Sequence, residues 1–192
     1  KGTFTAFKPS LLGSVTTDSI SLNIVISDDG NTAFVADYEG GLQIVDISDV
    51  SNPSQLSTYT TEGSVWDVAL SIDGNTAYLA GYDAGLQIID VSDRSNPGSI
   101  GSFDTEGFAL GLELSSDGSI AYVADAFSLE IIDISNAQSP SLLGSIATSG
   151  NAYNVTLSAD ESAAFLAVDS AGLDIVDITN FANPVLIGTL DT

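Results

Sequence analysis

Three acids, Asp18, Glu62 and Glu106, follow one another at a spacing of 44 residues, and Ser149 takes the fourth place in the series. A second series runs Asp37, Gly81, Asp125 and Val168, with Glu39, Asp83 and Asp169 close by, and a third runs Asn23, Asp67, Gly111 and Asn154. Oxygen ligands brought together from such series would suit a hard cation, since Ca²⁺ takes six to eight oxygens at about 2.3–2.6 Å. Asp18, Asp37, Glu62, Asp67, Glu106 and Asp125 are the residues that would supply them. No single loop has the ordered acidic spacing of an EF-hand or a nonapeptide Ca²⁺ repeat. The simpler reading is therefore a solvated acidic surface that requires no cofactor, with Ca²⁺ as the alternative.

Aromatic residues accompany these acids. Tyr38, Tyr82 and Phe127 stand beside the second series, while Trp66 and Tyr153 occupy one shared position next to the third. Rings beside carboxylates can hold a sugar by stacking and hydrogen bonding, so Asp18, Asp37, Tyr38, Glu62, Asp67, Tyr82, Asp83, Glu106 and Asp125 form a candidate surface for a protein or glycan partner. Trp66 and Tyr153 alternate with polar neighbours and are expected to pack in the core.

Catalysis is restricted by what is missing. The chain has no His and no Cys, which removes a Ser-His-Asp triad, a thiolate nucleophile and a His-ligated zinc site. Paired-carboxylate chemistry of the glycoside-hydrolase kind survives, which needs two acids about 5 to 9.5 Å apart. Asp67 with Glu62 or Glu106 is the pair that would serve, and the expectation is a protein that is not an enzyme. Lys1, Lys8 and Arg94 stand against 26 acids, a net charge of −23, which opposes binding to nucleic acid or anionic membrane. No run approaches the roughly 20 apolar residues of a membrane-spanning helix. Such acidity suits an extracellular or cell-surface setting. The start at Lys1, with no signal-peptide pattern, reads as an excerpt from a longer precursor.

The spacing of the acids reflects a repeat. GLQIVDISDVSNPSQLSTYTTEG from Gly41 is written again from Gly85 as GLQIIDVSDRSNPGSIGSFDTEG. Cut at its prolines, the chain gives units 9–52, 53–96, 97–139 and 140–183, then a remnant 184–192, all within one domain, 1–192. Each unit alternates apolar and polar positions in short runs between turn signals, which predicts four strands. Asp-Gly in SDDGN, SIDGN and SSDGS marks tight turns, whereas SADES has Glu161 in the glycine position and predicts a strained or altered turn. Asp46, Asp90, Asp133 and Asp177 end the third strand just before a loop, where an Asp side chain accepts backbone N–H groups and holds the turn.

Four-stranded units of this length bury their faces only by stacking on one another, which selects a β-propeller of antiparallel blades. VWDVALS should be innermost in its blade and QLSTYTT outermost. The segments GLQIVDIS, GLQIIDVS, SLEIIDIS and GLDIVDIT, preceded by TAFVAD, TAYLAG, IAYVAD and AAFLAV, resemble the LVIVD-repeat β-propellers of bacterial and archaeal surface or secreted proteins. That resemblance implies a non-catalytic interaction or scaffold module. Outer-type strands at both Pro9–Thr17 and Pro184–Leu190 would make seventeen strands, one more than a closed four-bladed ring holds. Either one strand hangs outside, or the chain is an arc of a larger ring that a second copy could complete as a homo-oligomer, associating through open blade edges.

Overall fold

In the computed structural model, which describes residues 10–191, the regular elements are all β-strands. The first sheet orders β1 (Asn23–Ile26), β2 (Thr32–Ala36), β3 (Leu42–Asp46) and β4 (Ser54–Tyr59) as antiparallel neighbours. The second repeats this with β5 (Asp67–Leu70), β6 (Thr76–Ala80), β7 (Leu86–Asp90) and β8 (Gly98–Phe103). The third and fourth blades share one sheet of β9 (Ala109–Leu114), β10 (Ile120–Asp133), β11 (Ser141–Leu157), β12 (Ala163–Val168), β13 (Gly172–Asp177) and β14 (Val185–Leu190). They merge because β10 and β11 each serve two strand positions. Residues 141–147 of β11 close the third blade on β10, and residues 152–157 open the fourth on β12.

Each blade runs in the expected order, with the VWDVALS-type strand at one end of its sheet and the QLSTYTT-type strand at the other. The innermost strands contact one another from blade to blade. Outer strands pair backwards in the chain, Leu42 opposite Tyr59 and Leu86 opposite Phe103. A blade such as 23–59 therefore straddles the proline that begins the next sequence unit. These prolines directly precede β4, β8, β11 and β14, a position that demands no ladder N–H.

The expected strand Pro9–Thr17 is not formed. Pro9 lies outside the described residues, and Ser10–Thr17 carry no strand. An outer strand needs the third strand of its own blade, and the described chain offers this segment none. It nevertheless lies where such a strand would lie. A Cβ on Gly13 would meet the Val50 carbonyl and Pro53, just as Gly101 abuts Ala137 and Gly144 abuts Phe181. The described chain thus has sixteen strand positions, with PVLIGTL observed as β14.

Among the described residues the core falls into three clusters, one at each junction between consecutive blades, and none joins the first blade to the fourth. Phe34, Leu42 and Ile44 pack on Leu79 and Ile89; Tyr78, Leu86 and Ile88 pack on Val123 and Ile132; Tyr122, Leu129 and Ile131 pack on Leu166 and Val176. The next residues in this series are Phe165, Leu173 and Ile175, which no following blade covers, and they are only half-buried. The four blades form an arc.

Local chemistry explains the repeated turns. Ser27 Oγ accepts the N–H of Thr32 and donates to Asp29, and Gly30 takes φ of 73°. In the fourth blade Glu161 adopts φ of 54° and its N–H reaches Ser158 O at 2.9 Å, matching the 2.8 Å bond from Gly30 to Ser27. The turn is strained and not reshaped, at a cost of about 1 kcal/mol for a side chain in the left-handed region. Asp46, Asp90, Asp133 and Asp177 each accept the N–H two residues on at 2.9 Å. Hydrogen bonding from those Ser and Thr residues holds all four carboxyls below the ordinary range.

Candidate functional site: the aromatic and acidic loop face

At the junction of successive blades the chain needs an unusual backbone. Tyr38 takes φ of 41° and exchanges both backbone bonds with Val65, at 3.1 and 2.9 Å; Tyr82 takes φ of 55° and does the same with Ala109. Ala126, at φ of 46°, pairs with Ala152 at the third junction. Since alanine satisfies the same geometry, the tyrosine rings are not required by the backbone. They contribute a side-chain surface.

That surface is a ladder of four rings. Tyr38 meets Trp66 edge-on with centroids 6.0 Å apart, Trp66 stacks on Tyr82 at 5.8 Å, and Tyr82 stacks on Phe108 at 4.3 Å and 7°. Trp66 and both tyrosines are half-buried, and Phe108 is exposed. Two expectations are corrected here. Trp66 sits in this ladder outside the blade-to-blade core, and Tyr153 is 46% exposed, the positions of Tyr38 and Tyr82 around it being taken by the ringless Ala126 and Asp169. Phe108 was missed by sequence reasoning, since it fills the position of Ser64 in the preceding blade and no periodicity marks it.

The predicted acids divide into two groups. Asp18, Glu62, Asp83 and Glu106 are exposed. Asp37, Asp67 and Asp125 are buried. Asp37 accepts the Ser19 N–H at 2.8 Å and the Ser21 hydroxyl at 3.0 Å. Asp67 accepts from the N–H groups of Val68 and Leu112 at 2.8 and 2.9 Å, and burial raises its pKa. Asp125 accepts the Gly107 N–H at 2.7 Å and is also raised by burial. Among the described residues no three or more acidic side chains group to hold an ion. Of the six residues proposed for Ca²⁺, Glu106 and Asp125 line one recess, while Asp67 lies on β5 in another.

The inner strands do converge. Asn23, Asp67, Glu113 and Asn154 line one recess of about 460 Å³ contributed by all four blades. Burial, then the charge of Asp67, raises the Glu113 pKa. Arg94, the cation among the described residues, lies elsewhere: its guanidinium donates to the carbonyls of Gly74 and Val91 and sits 4.9 Å from the Phe34 ring centroid.

The LVIVD-repeat model matches residues 21–61, 62–105, 113–148 and 149–192. The chain belongs to the LVIVD-repeat family. No curated protein matches this LVIVD chain. Its fold is similar to Kuenenia stuttgartiensis hydrazine synthase, at 22% identity and a TM-score of 0.72, over 91% of this chain and 51% of that one. It is also similar to the periplasmic gluconolactonase of Pseudomonas aeruginosa, at 17% identity and 0.74, over 88% and 56%. A third is the β-propeller domain of Myceliophteria thermophila Cps50 (Swd1), at 11% identity and 0.69, over 90% and 60%. The LVIVD chain thus spans between half and three-fifths of each of these solved chains. At such identities the likeness shows the fold.

Proposed function

We propose that this LVIVD propeller is a non-catalytic interaction and scaffold module of an extracellular or cell-surface protein, which presents its loop face to a glycan or protein partner. The observation that carries this reading is the ladder Tyr38–Trp66–Tyr82–Phe108, whose two tyrosines stand at backbone positions where Ala126 serves as well, with the exposed acids Asp83 and Glu106 next to Tyr82 and two residues before Phe108 in the chain. Stacked rings with carboxylates beside them offer an apolar platform plus hydrogen-bond acceptors, the combination that holds a sugar ring or a cationic side chain. Asp67 is a poor catalytic acid or base because each of its oxygens already accepts a backbone N–H. The test is an oligosaccharide and cationic-peptide array probed with the wild-type chain and with Phe108→Ala. Binding that the substitution weakens about tenfold supports the reading, and an array with no bound ligand removes it.

A second reading, assembly through open blades, is favoured by the uncovered Phe165, Leu173 and Ile175 at one end of the arc and by Leu11, Leu12, Ile24 and Ile26, all exposed, at the other. Apolar surface at the two ends of a repeat stack is what a neighbouring blade would cover. Light scattering decides it. A species of twice 19.7 kDa supports copies that complete one ring, and a single 19.7 kDa species at every concentration removes it.

A further inference from the structure

The third blade differs from the others at one pair of positions. The place of Gln43 and Gln87 is taken there by Glu130, on the same blade as Asp125, and the turn between the two strands is one residue shorter. In the first blade Gln43 donates to the carbonyl of Gly40 at 2.7 Å, and both oxygens of its neighbour Asp37 accept hydrogen bonds. In the fourth, Asp174 accepts both the N–H and the hydroxyl of Ser149. Every carboxylate at these positions is satisfied except in the third blade. Asp125 and Glu130 are 1% and 3% exposed, yet among the described residues Asp125 Oδ1 and Glu130 Oε2 make no well-aligned hydrogen bond; the buried Thr105 hydroxyl lies beside Asp125, and the Glu106 N–H beside Glu130.

Among the described residues one hydroxyl and two backbone N–H groups lie beside this pair of buried carboxyls, and no cation does, which leaves much of their charge uncompensated. Both acids line a recess of about 350 Å³ that also presents Glu106, Ser128 and Ser145, with Phe127 at its edge. Arg94 is engaged in the second blade with Gly74 and Val91. We propose that the Asp125–Glu130 recess is a Ca²⁺ site, in which the two carboxylates and neighbouring hydroxyl oxygens bind the ion and water completes its shell. Ca²⁺ is favoured over Mg²⁺ because the donors are irregularly placed oxygens in a roomy recess, and Mg²⁺ demands near-octahedral geometry. With only two buried carboxylates the affinity belongs on the order of 10⁻⁴ to 10⁻³ M, the range of extracellular modules.

Burial first, then the charge of Asp125, raises the Glu130 pKa to about 7, against a backbone hydrogen bond from Glu106 that lowers it. The experiment compares thermal melts of the chelator-treated wild type and Glu130→Gln with added CaCl₂ or MgCl₂. The variant carries the residue that the first two blades carry, so folding is expected. The expected result is a Ca²⁺-dependent rise in Tm for the wild type, larger than with Mg²⁺, that needs at least tenfold more Ca²⁺ in the variant. An equal response to both ions, or an equal response in the variant, would mean general screening of the acidic surface and would overturn the site. Carboxyl NMR of the wild type gives an independent reading: Asp125 and Glu130 carboxyl resonances unmoved by added CaCl₂ overturn the site as well.

Discussion

Asp67 of β5 accepts the backbone N–H of Leu112 in β9 at 2.9 Å, tying the innermost strand of one blade to that of the next. Its other oxygen accepts the N–H of Val68. Both donors are buried, so removing the carboxylate strands them. Asp67→Ala should therefore cost about 2–3 kcal/mol in denaturant unfolding, the penalty for buried donors left unpaired. Asp67→Asn keeps one acceptor oxygen and should cost roughly half as much. A catalytic role would instead show itself as lost turnover without lost stability.

Glu161 offers a test of the strain argument. It holds φ of 54° where the other three blades use glycine, and its carboxylate accepts the Ser116 N–H at 2.6 Å. Glu161→Gly relieves about 1 kcal/mol of backbone strain and gives up one exposed hydrogen bond of about 0.5 kcal/mol. The expected outcome is a slightly higher midpoint. The converse change, Gly30→Ala at φ of 73°, meets no steric neighbour and should lower stability by about 1 kcal/mol through φ alone.

Stability should pass through a maximum in mildly acidic solution. Asp117 and Asp160 are held at about 2 by hydrogen bonds from Ser119, Ser115, Ser158 and Ser162. A depressed carboxyl stabilises the fold above its unfolded value of about 3.9 and loses that contribution as pH falls through its folded value. Glu130 has the opposite sign. With a folded pKa of about 7 against an unfolded value of about 4.3, its contribution is complete below the latter and is lost as pH rises through the former. Denaturant midpoints measured from about pH 2 to 8 should fall on both sides of roughly pH 4–5, and Glu130→Gln should flatten the upper limb. A midpoint that climbs steadily to pH 8 in metal-free buffer would contradict this assignment.

The blades, their strand order and the turn acids were legible because they are written four times, and repetition averages out local ambiguity. Asp46, Asp90, Asp133 and Asp177 could be read as turn acids from position alone, since their partners lie two residues on. The site was less legible because it lives in departures from the repeat. Phe108 in place of Ser64 and Glu130 in place of Gln43 look like ordinary variation until the fold places one against Tyr82 and the other on the same recess as Asp125. Pro9–Thr17 has the pattern of an outer strand, but pattern gives no information about whether a pairing strand is present.

Equivalent residues on covered and uncovered faces give the sharpest test of the arc. Tyr122, 1% exposed, packs into the junction between the third and fourth blades, and Phe165 holds the same position on the fourth blade with nothing after it. Tyr122→Asp places a carboxylate in a closed apolar junction and should cost more than about 3 kcal/mol. Phe165→Asp should change the stability of the lone chain by less than about 1 kcal/mol, because its surroundings are already wet. If copies associate through this face, the same change should raise the dissociation constant at least tenfold by sedimentation or light scattering. Unfolding of the two variants to the same extent would mean that the fourth blade is covered and that the arc is closed.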